Sequence, residues 1–248
     1  MIVIKTERDI ELMRQSGKIT AGAMEAARKA MREGITTAEL DAIIKDYILS
    51  HGAKPSFLGY AGFPGSACIS VNEELIHGIP GSRKIKKGDI VTIDVGSCYK
   101  GMHTDMADTF VTEESSEVAK RLYRITKESF FKGLSFMKSG NRLGDVSSAI
   151  QEHIESAGFF VVKKYVGHGV GYELHEDPSV PNYGTAGRGI RLMKGMTLAV
   201  EPMVNEKCED VKILSDKWTV VPAVGGLSAH YENTVLITDG EPELLTVL

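Results

Sequence analysis

Cysteine is scarce in this chain and scattered where it occurs: Cys68, Cys98 and Cys208, with no C-x-x-C pair. An odd, unclustered set excludes both a disulfide framework and a zinc ribbon. An excess of basic residues is also missing. Lys and Arg total 29 against 33 Asp and Glu, a formal charge of −4. That balance offers no electrostatic footprint for nucleic acid or an anionic membrane, whose phosphates would select for a basic face. No apolar run approaches the ~20 residues of a membrane span. The opening stretch MIVIKTERDIELMRQ turns charged after four residues, unlike a signal peptide. Nor is there a low-complexity tract, linker or charge block to divide the chain. These absences leave a single cytoplasmic globular domain, residues 1–248, long enough to bury a core without staples.

What is present falls into two similar halves, about 1–112 and 113–248. Residues 6–33 read as a helix, started by Thr6 with Asp9 three residues on and stopped by Gly34. A second helix follows at about 37–51. Thr36 and Glu39 form its capping box, Leu40, Ile44 and Ile48 its apolar stripe, and Gly52 its stop. Then IVTIDVGSCYK and MHTDMADTFVT form two β-rich runs joined near Lys100-Gly101, a hairpin pattern. The order repeats: helices at about 116–138 and 142–157, then β-rich runs at 159–166, 196–204, 218–222 and 229–237. The second helices of the halves align without gaps at an offset of 106. Gly34 falls on Gly140, Leu40 on Val146, Ile44 on Ile150, Ile48 on Ile154, and Gly52 on Gly158. Segregated helices and mostly antiparallel strands predict an α+β fold. An internal duplication would place a site between two pseudo-symmetric halves.

Asp94, Asp105, Glu201 and Glu232 each sit inside an otherwise apolar β run: TIDVG, HTDMADTF, LAVEPMV and HYENTVLIT. A buried carboxylate is costly unless a cation or hydrogen bonds compensate it. Alternation along the hairpin puts Asp94 and Asp105 on one face, where like charges destabilise unless a metal lies between them. With His168, in the Gly-rich stretch GHGVGYELHEDP, these make four carboxylates and one imidazole. That set suits two divalent ions, with oxygen-rich ligation favouring Mn(II), Fe(II) or Co(II) over a thiolate-type zinc site. The glycines around His168 are expected to allow close backbone approach to a ligand. His175 shares the same stretch, and His77 precedes a Gly-x-Pro turn in VNEELIHGIP. His51 at a helix end, His153 on a polar helix face, and His103 and His230, which flank the proposed ligands, receive no role.

Together, GYAGFPGSACISVNEELIHGIP, IDVGSCYKGMHTDMADTF, GHGVGYELHEDP, AVEPMV and YENTVLIT resemble the methionine aminopeptidases. These share the pita-bread fold with aminopeptidase P, prolidase and creatinase. The resemblance runs from about residue 5 to the C-terminus. His168 and Glu201 lie only 33 positions apart, so it is the short, type I enzyme that is resembled. The resemblance implies that Asp94 chelates one metal, that Asp105 and Glu232 bridge both, and that His168 and Glu201 hold the other. Two divalent ions per chain, from among Co, Mn, Fe(II) and Zn, are implied. His77 and His175 match the histidines flanking the substrate, and Tyr60, Phe63, Cys68, Leu174 and Trp218 the positions lining the methionine pocket. HTD stands where HGD is common, Phe57 and Ala61 where cysteine and histidine are known, and Leu174 where many members have phenylalanine.

The activity so implied is removal of the first methionine from nascent chains near the ribosome, with a small second residue preferred; no long apolar edge demands a partner, so a monomer is expected. A metal-activated water would attack the scissile carbonyl. Glu201 would act as general base then acid, His175 would stabilise the oxyanion, and His77 would sit near the scissile nitrogen. Two other readings are weaker. A metal-free binding relative should have lost ligands, and all five positions are filled here. A non-haem Fe(II) oxygenase could be built on His103-x-Asp105, but those enzymes need an all-β jelly roll rather than four helices.

Overall fold

A computed structural model describes all 248 residues. Four helices form where periodicity and caps place them: α1 (Glu7–Ala30), α2 (Thr37–Ser50), α3 (Glu117–Leu134) and α4 (Leu143–Ser156). Thr6 with Asp9 and Thr36 with Glu39 close capping boxes at the starts of α1 and α2. Two helices stop earlier than expected. α1 ends at Ala30 because Met31 turns to extended ψ while its N–H still bonds Ala27 and Arg28. The expected helix to 138 ends at Leu134, where the chain folds back through two tight turns and buries Met137.

A nine-stranded sheet carries the molecule, all of its pairings antiparallel. It contains the expected hairpin, Val91–Tyr99 paired to Met102–Phe110. Its turn, Lys100 and Gly101, has positive φ at both residues, as a two-residue hairpin requires. The second half offers a comparable pair, but a bent one. Thr197–Val200 pairs with Glu232–Leu236, whereas the continuations Met203–Asn205 and Ser228–His230 pair in a separate three-stranded sheet. The bend falls at Glu201-Pro202 and Tyr231, where Tyr231 N–H bonds the Pro202 carbonyl. The halves join where Glu232 and Asn233 pair with Ala107 and Met106. Across this seam the order is Asp94 strand, Asp105 strand, Glu232 strand, Glu201 strand, which is twofold-like. Of the β run expected at 159–166, only Phe160–Val161 pairs; Ala67–Val71, Gly167–Gly169 and Glu176–Val180 are strands that alternation did not reveal.

Each helix pair covers its own half of the sheet. Leu40, Ile44 and Ile48 of α2 pack with Ile69, Ile93 and Val95 in one core. Val146, Ile150 and Ile154, the positions 106 residues on, pack with Leu198, Val200 and Val235 in the other. Because side chains alternate, burying Ile93 and Val95 against helices turns Asp94 to the opposite face. The cores thus dictate where the carboxylates point.

Candidate metal centre and substrate cavity

One rung of the sheet runs Asp94, Ala107, Glu232, three residues on three adjacent strands. Facing partners share a face, so both carboxylates stand over the small methyl of Ala107. Asp105, two residues before Ala107, joins them. The hydroxyl of Thr234 fastens it, accepting from Asp105 N–H at 2.9 Å and donating to its carbonyl at 2.9 Å. Glu201 leaves its strand at the bend, and its carbonyl is held by Asn182 Nδ2 at 2.9 Å. His168 sits opposite Ala199 on the next strand.

The glycines flanking His168 serve a different purpose from the one expected. A Cβ on Gly167 would lie 2.3 Å from the Ala199 carbonyl oxygen, and one on Gly169 2.3 Å from that of Asp177. They let strands, not a ligand, come close. His168 Nδ1 lies 2.9 Å from the Gly169 carbonyl and donates to it. That leaves the Nε2 lone pair aimed at Glu201 Oε1, 3.5 Å away, and Asp105 Oδ2, 3.9 Å away.

No lysine or arginine reaches these carboxylates; histidines alone approach them. Burial pushes Asp94, Asp105, Glu201 and Glu232 well above the usual carboxylate range, and mutual repulsion adds to the effect at Asp94, Glu201 and Glu232. The same burial drives His168 down to about 3 and His77 to about 4, so neither supplies a countercharge near neutrality. Asp94 Oδ1 and Glu232 Oε1 are buried without any hydrogen-bond partner. Acceptors converging without a donor are the pattern a cation completes. Ligand atoms of Asp105, His168 and Glu232 lie within 4.8 Å of one another, as do those of Asp94, His230 and Glu232.

A cavity of about 170 Å³ opens above this cluster. One wall is polar: Asp94, Asp105, His168, Glu201 and Glu232, with His77 and His175. The other is apolar: Phe57, Tyr60, Ala61, Phe63, Cys68, Leu174 and Trp218. Phe63 and Trp218 meet edge to face at 5.1 Å, and Cys68 pairs across the sheet with Asp94, joining the two walls. His175 Nδ1 lies 2.8 Å from the Tyr60 hydroxyl, and its ring lies 4.1 Å from that of His168. His77, with φ of 59°, turns its ring to Tyr165 and Trp218.

Residues 11–239 match the model of metallopeptidase family M24. The chain belongs to this family. It is 54% identical to the methionine aminopeptidase of Clostridium perfringens, over all of both chains, and 50% identical to methionine aminopeptidase 1 of Bacillus subtilis, over 99% of each. Its structure superposes on the crystal structure of methionine aminopeptidase from Thermotoga maritima with a TM-score of 0.98 at 47% identity, covering all of both chains. Prolidase from Pyrococcus furiosus superposes with a TM-score of 0.80 at 26% identity, over 99% of this chain and 66% of that one. The fold is therefore the pita-bread fold, and the protein is a metal-dependent peptidase.

Every residue singled out for metal, catalysis or pocket lines this one cavity, together with Phe57 and Ala61. His103 does not; it bonds Ser56 Oγ at 2.9 Å, away from the acidic cluster. Two residues beside the acidic cluster were given no role. Thr234 gives no signal of its own, since threonine is ordinary in a strand. His230 gives none either: the bend at Tyr231 puts it and Glu232 in different sheets, so strand alternation does not place it.

Proposed function

We propose that this chain hydrolyses the peptide bond after an N-terminal methionine, using two divalent ions held by Asp94, Asp105, His168, Glu201 and Glu232. The observation that carries this reading is the shared cavity, in which an apolar slot ends on an acidic cluster whose Asp94 Oδ1 and Glu232 Oε1 have no hydrogen-bond partner. A flexible thioether packs well against aromatic rings and sulfur, which Phe63, Trp218 and Cys68 offer. Phe57 and Leu174 add to the apolar lining of the slot. Relatives named methionine aminopeptidase at 50–54% identity support the same substrate.

When bound, such ions supply Lewis acidity and lower the pKa of water toward neutrality. The chain's own groups do the rest. Glu201 takes the proton of the attacking water and returns it to the departing amide nitrogen. His175 donates to the carbonyl oxygen as negative charge develops there. His77 borders the departing side, where a small second residue is favoured. The charge-free surroundings of the slot and the acidic cluster together select an ammonium terminus over a mid-chain peptide. The identity of the ions (Co, Mn, Fe(II) or Zn), action on chains leaving the ribosome, a monomeric state, a cytoplasmic location and one catalytic unit built of two halves belong to the same reading. No helix is long and apolar enough to cross a membrane.

Substitution tests it. Glu201→Gln and Asp105→Ala should each abolish methionine release from a Met-Gly peptide while circular dichroism remains unchanged. Full activity in either would refute the assignment.

A further inference from the structure

His230 lies beneath the cavity rather than in its wall. It ends the strand Ser228–His230 and pairs there with Met203. Its backbone is fixed by Thr109, whose hydroxyl accepts from His230 N–H at 3.1 Å and donates to its carbonyl at 2.7 Å. The ring is 1% exposed, and neither Nδ1 nor Nε2 has a hydrogen-bond partner. Leaving such a group unsatisfied in the interior is costly. Nε2 stands 3.6 Å from Glu232 Oε2 and 3.7 Å from Glu201 Oε2. Those separations are too long for hydrogen bonds. Yet the ligand atoms of Asp94, His230 and Glu232 lie within 4.8 Å of one another, matching the group formed by Asp105, His168 and Glu232 on the other side.

We propose that His230 is a sixth ligand of the metal centre, binding through its imidazole the ion that Asp94 and Glu232 also hold. The inference rests on the dimetal reading above. It gives each ion one imidazole, His168 on one side and His230 on the other, in place of a site with all its nitrogen at one end. It also changes selectivity. Oxygen ligands suit Mn(II), whereas imidazole suits Zn(II) and Fe(II), so His230 shifts the Asp94 side toward the latter.

The test is to strip the full chain with chelator, reload it with zinc, count ions per chain, and count imidazoles per ion by X-ray absorption. Two zincs averaging one imidazole each are expected. His230→Gln should halve that average and weaken one zinc by at least ~10-fold, the lower end of what even an outer hydrogen-bond partner costs when removed. The other zinc and the melting temperature of the stripped protein should change little. Two zincs averaging half an imidazole in the unsubstituted chain would overturn this inference alone, and so would an unchanged average in His230→Gln. No zinc at all would overturn it together with the dimetal reading. If His230→Gln does not fold, the average in the unsubstituted chain decides.

Discussion

The Tyr60 hydroxyl lies 2.8 Å from His175 Nδ1, so the direction of that hydrogen bond decides which ring nitrogen carries the proton. Burial lowers the pKa of His175, so the ring is neutral near pH 7 and has one N–H. If the phenol donates to Nδ1, the proton sits on Nε2, free to donate to the substrate carbonyl. His175→Ala should then reduce kcat by roughly 10²–10³-fold with KM little changed, as loss of an oxyanion donor does. Tyr60→Phe leaves the donor but frees the tautomer. A net hydrogen bond of ~0.5–1.5 kcal/mol predicts a kcat about 2–12-fold lower. A change confined to KM in both variants would rule out the oxyanion role. His168 follows the same logic with a backbone partner, the Gly169 carbonyl, and so presents its Nε2 lone pair instead. Two histidines in one glycine-rich stretch thus acquire opposite tasks from what their Nδ1 atoms touch.

Among the elements, α1 shows how packing far from the cavity reaches the carboxylates. Gly17 of α1 lies so close to the C-terminal segment that a Cβ there would stand 2.0 Å from the Leu245 carbonyl oxygen. That segment backs the Thr234 strand: Leu245 N–H bonds the Thr234 carbonyl, and Thr246 Oγ1 accepts from Thr234 N–H. Thr234 in turn holds Asp105. Overpacking against backbone costs ~1–3 kcal/mol, against ~1 kcal/mol of helix propensity gained by Gly→Ala. Gly17→Ala should therefore lower the melting temperature and weaken divalent-ion binding. Gly22→Ala, which meets the movable end of the Tyr47 side chain, should do less; the reverse order in thermal melts would contradict this packing argument. The sequence made the four helices, the first hairpin and the carboxylate face legible because each rests on local rules: caps, period and alternation. It hid the bend at Glu201-Pro202, which sends one pair of strands into two sheets and brings His230 beneath Glu232. It hid the reason for Gly167 and Gly169 too, since close approach of a distant strand leaves no mark on neighbouring residues. The apolar wall, by contrast, was legible through resemblance alone, as Trp218 and Leu174 would otherwise read as ordinary core.

For the whole molecule, two sets of buried groups pull stability in opposite directions with pH. His168 and His230 fall to about 3 from 6.5, so the folded chain holds them neutral while the unfolded chain protonates them. Their effect favours folding increasingly as pH rises and is complete above 6.5. Asp94, Asp105, Glu201 and Glu232 are raised above their unfolded values. The stability they confer is fully present below those unfolded values and is lost as pH rises through the folded ones, because the folded state then binds more protons than the unfolded. Above pH 6.5 the carboxylates act alone. The chelator-treated protein should therefore melt at progressively lower temperature as pH rises above 6.5. Each pKa unit of forced ionisation is worth ~1.4 kcal/mol, or roughly 3–6 °C for a chain of this size. Saturating Mn(II) should abolish that slope, because the cation supplies the countercharge the fold withholds, and its affinity should climb with pH as bound protons are released. A flat melting profile for the stripped protein across that rise would mean that the four carboxylates are already neutralised within the fold, leaving a pair of cations nothing to compensate.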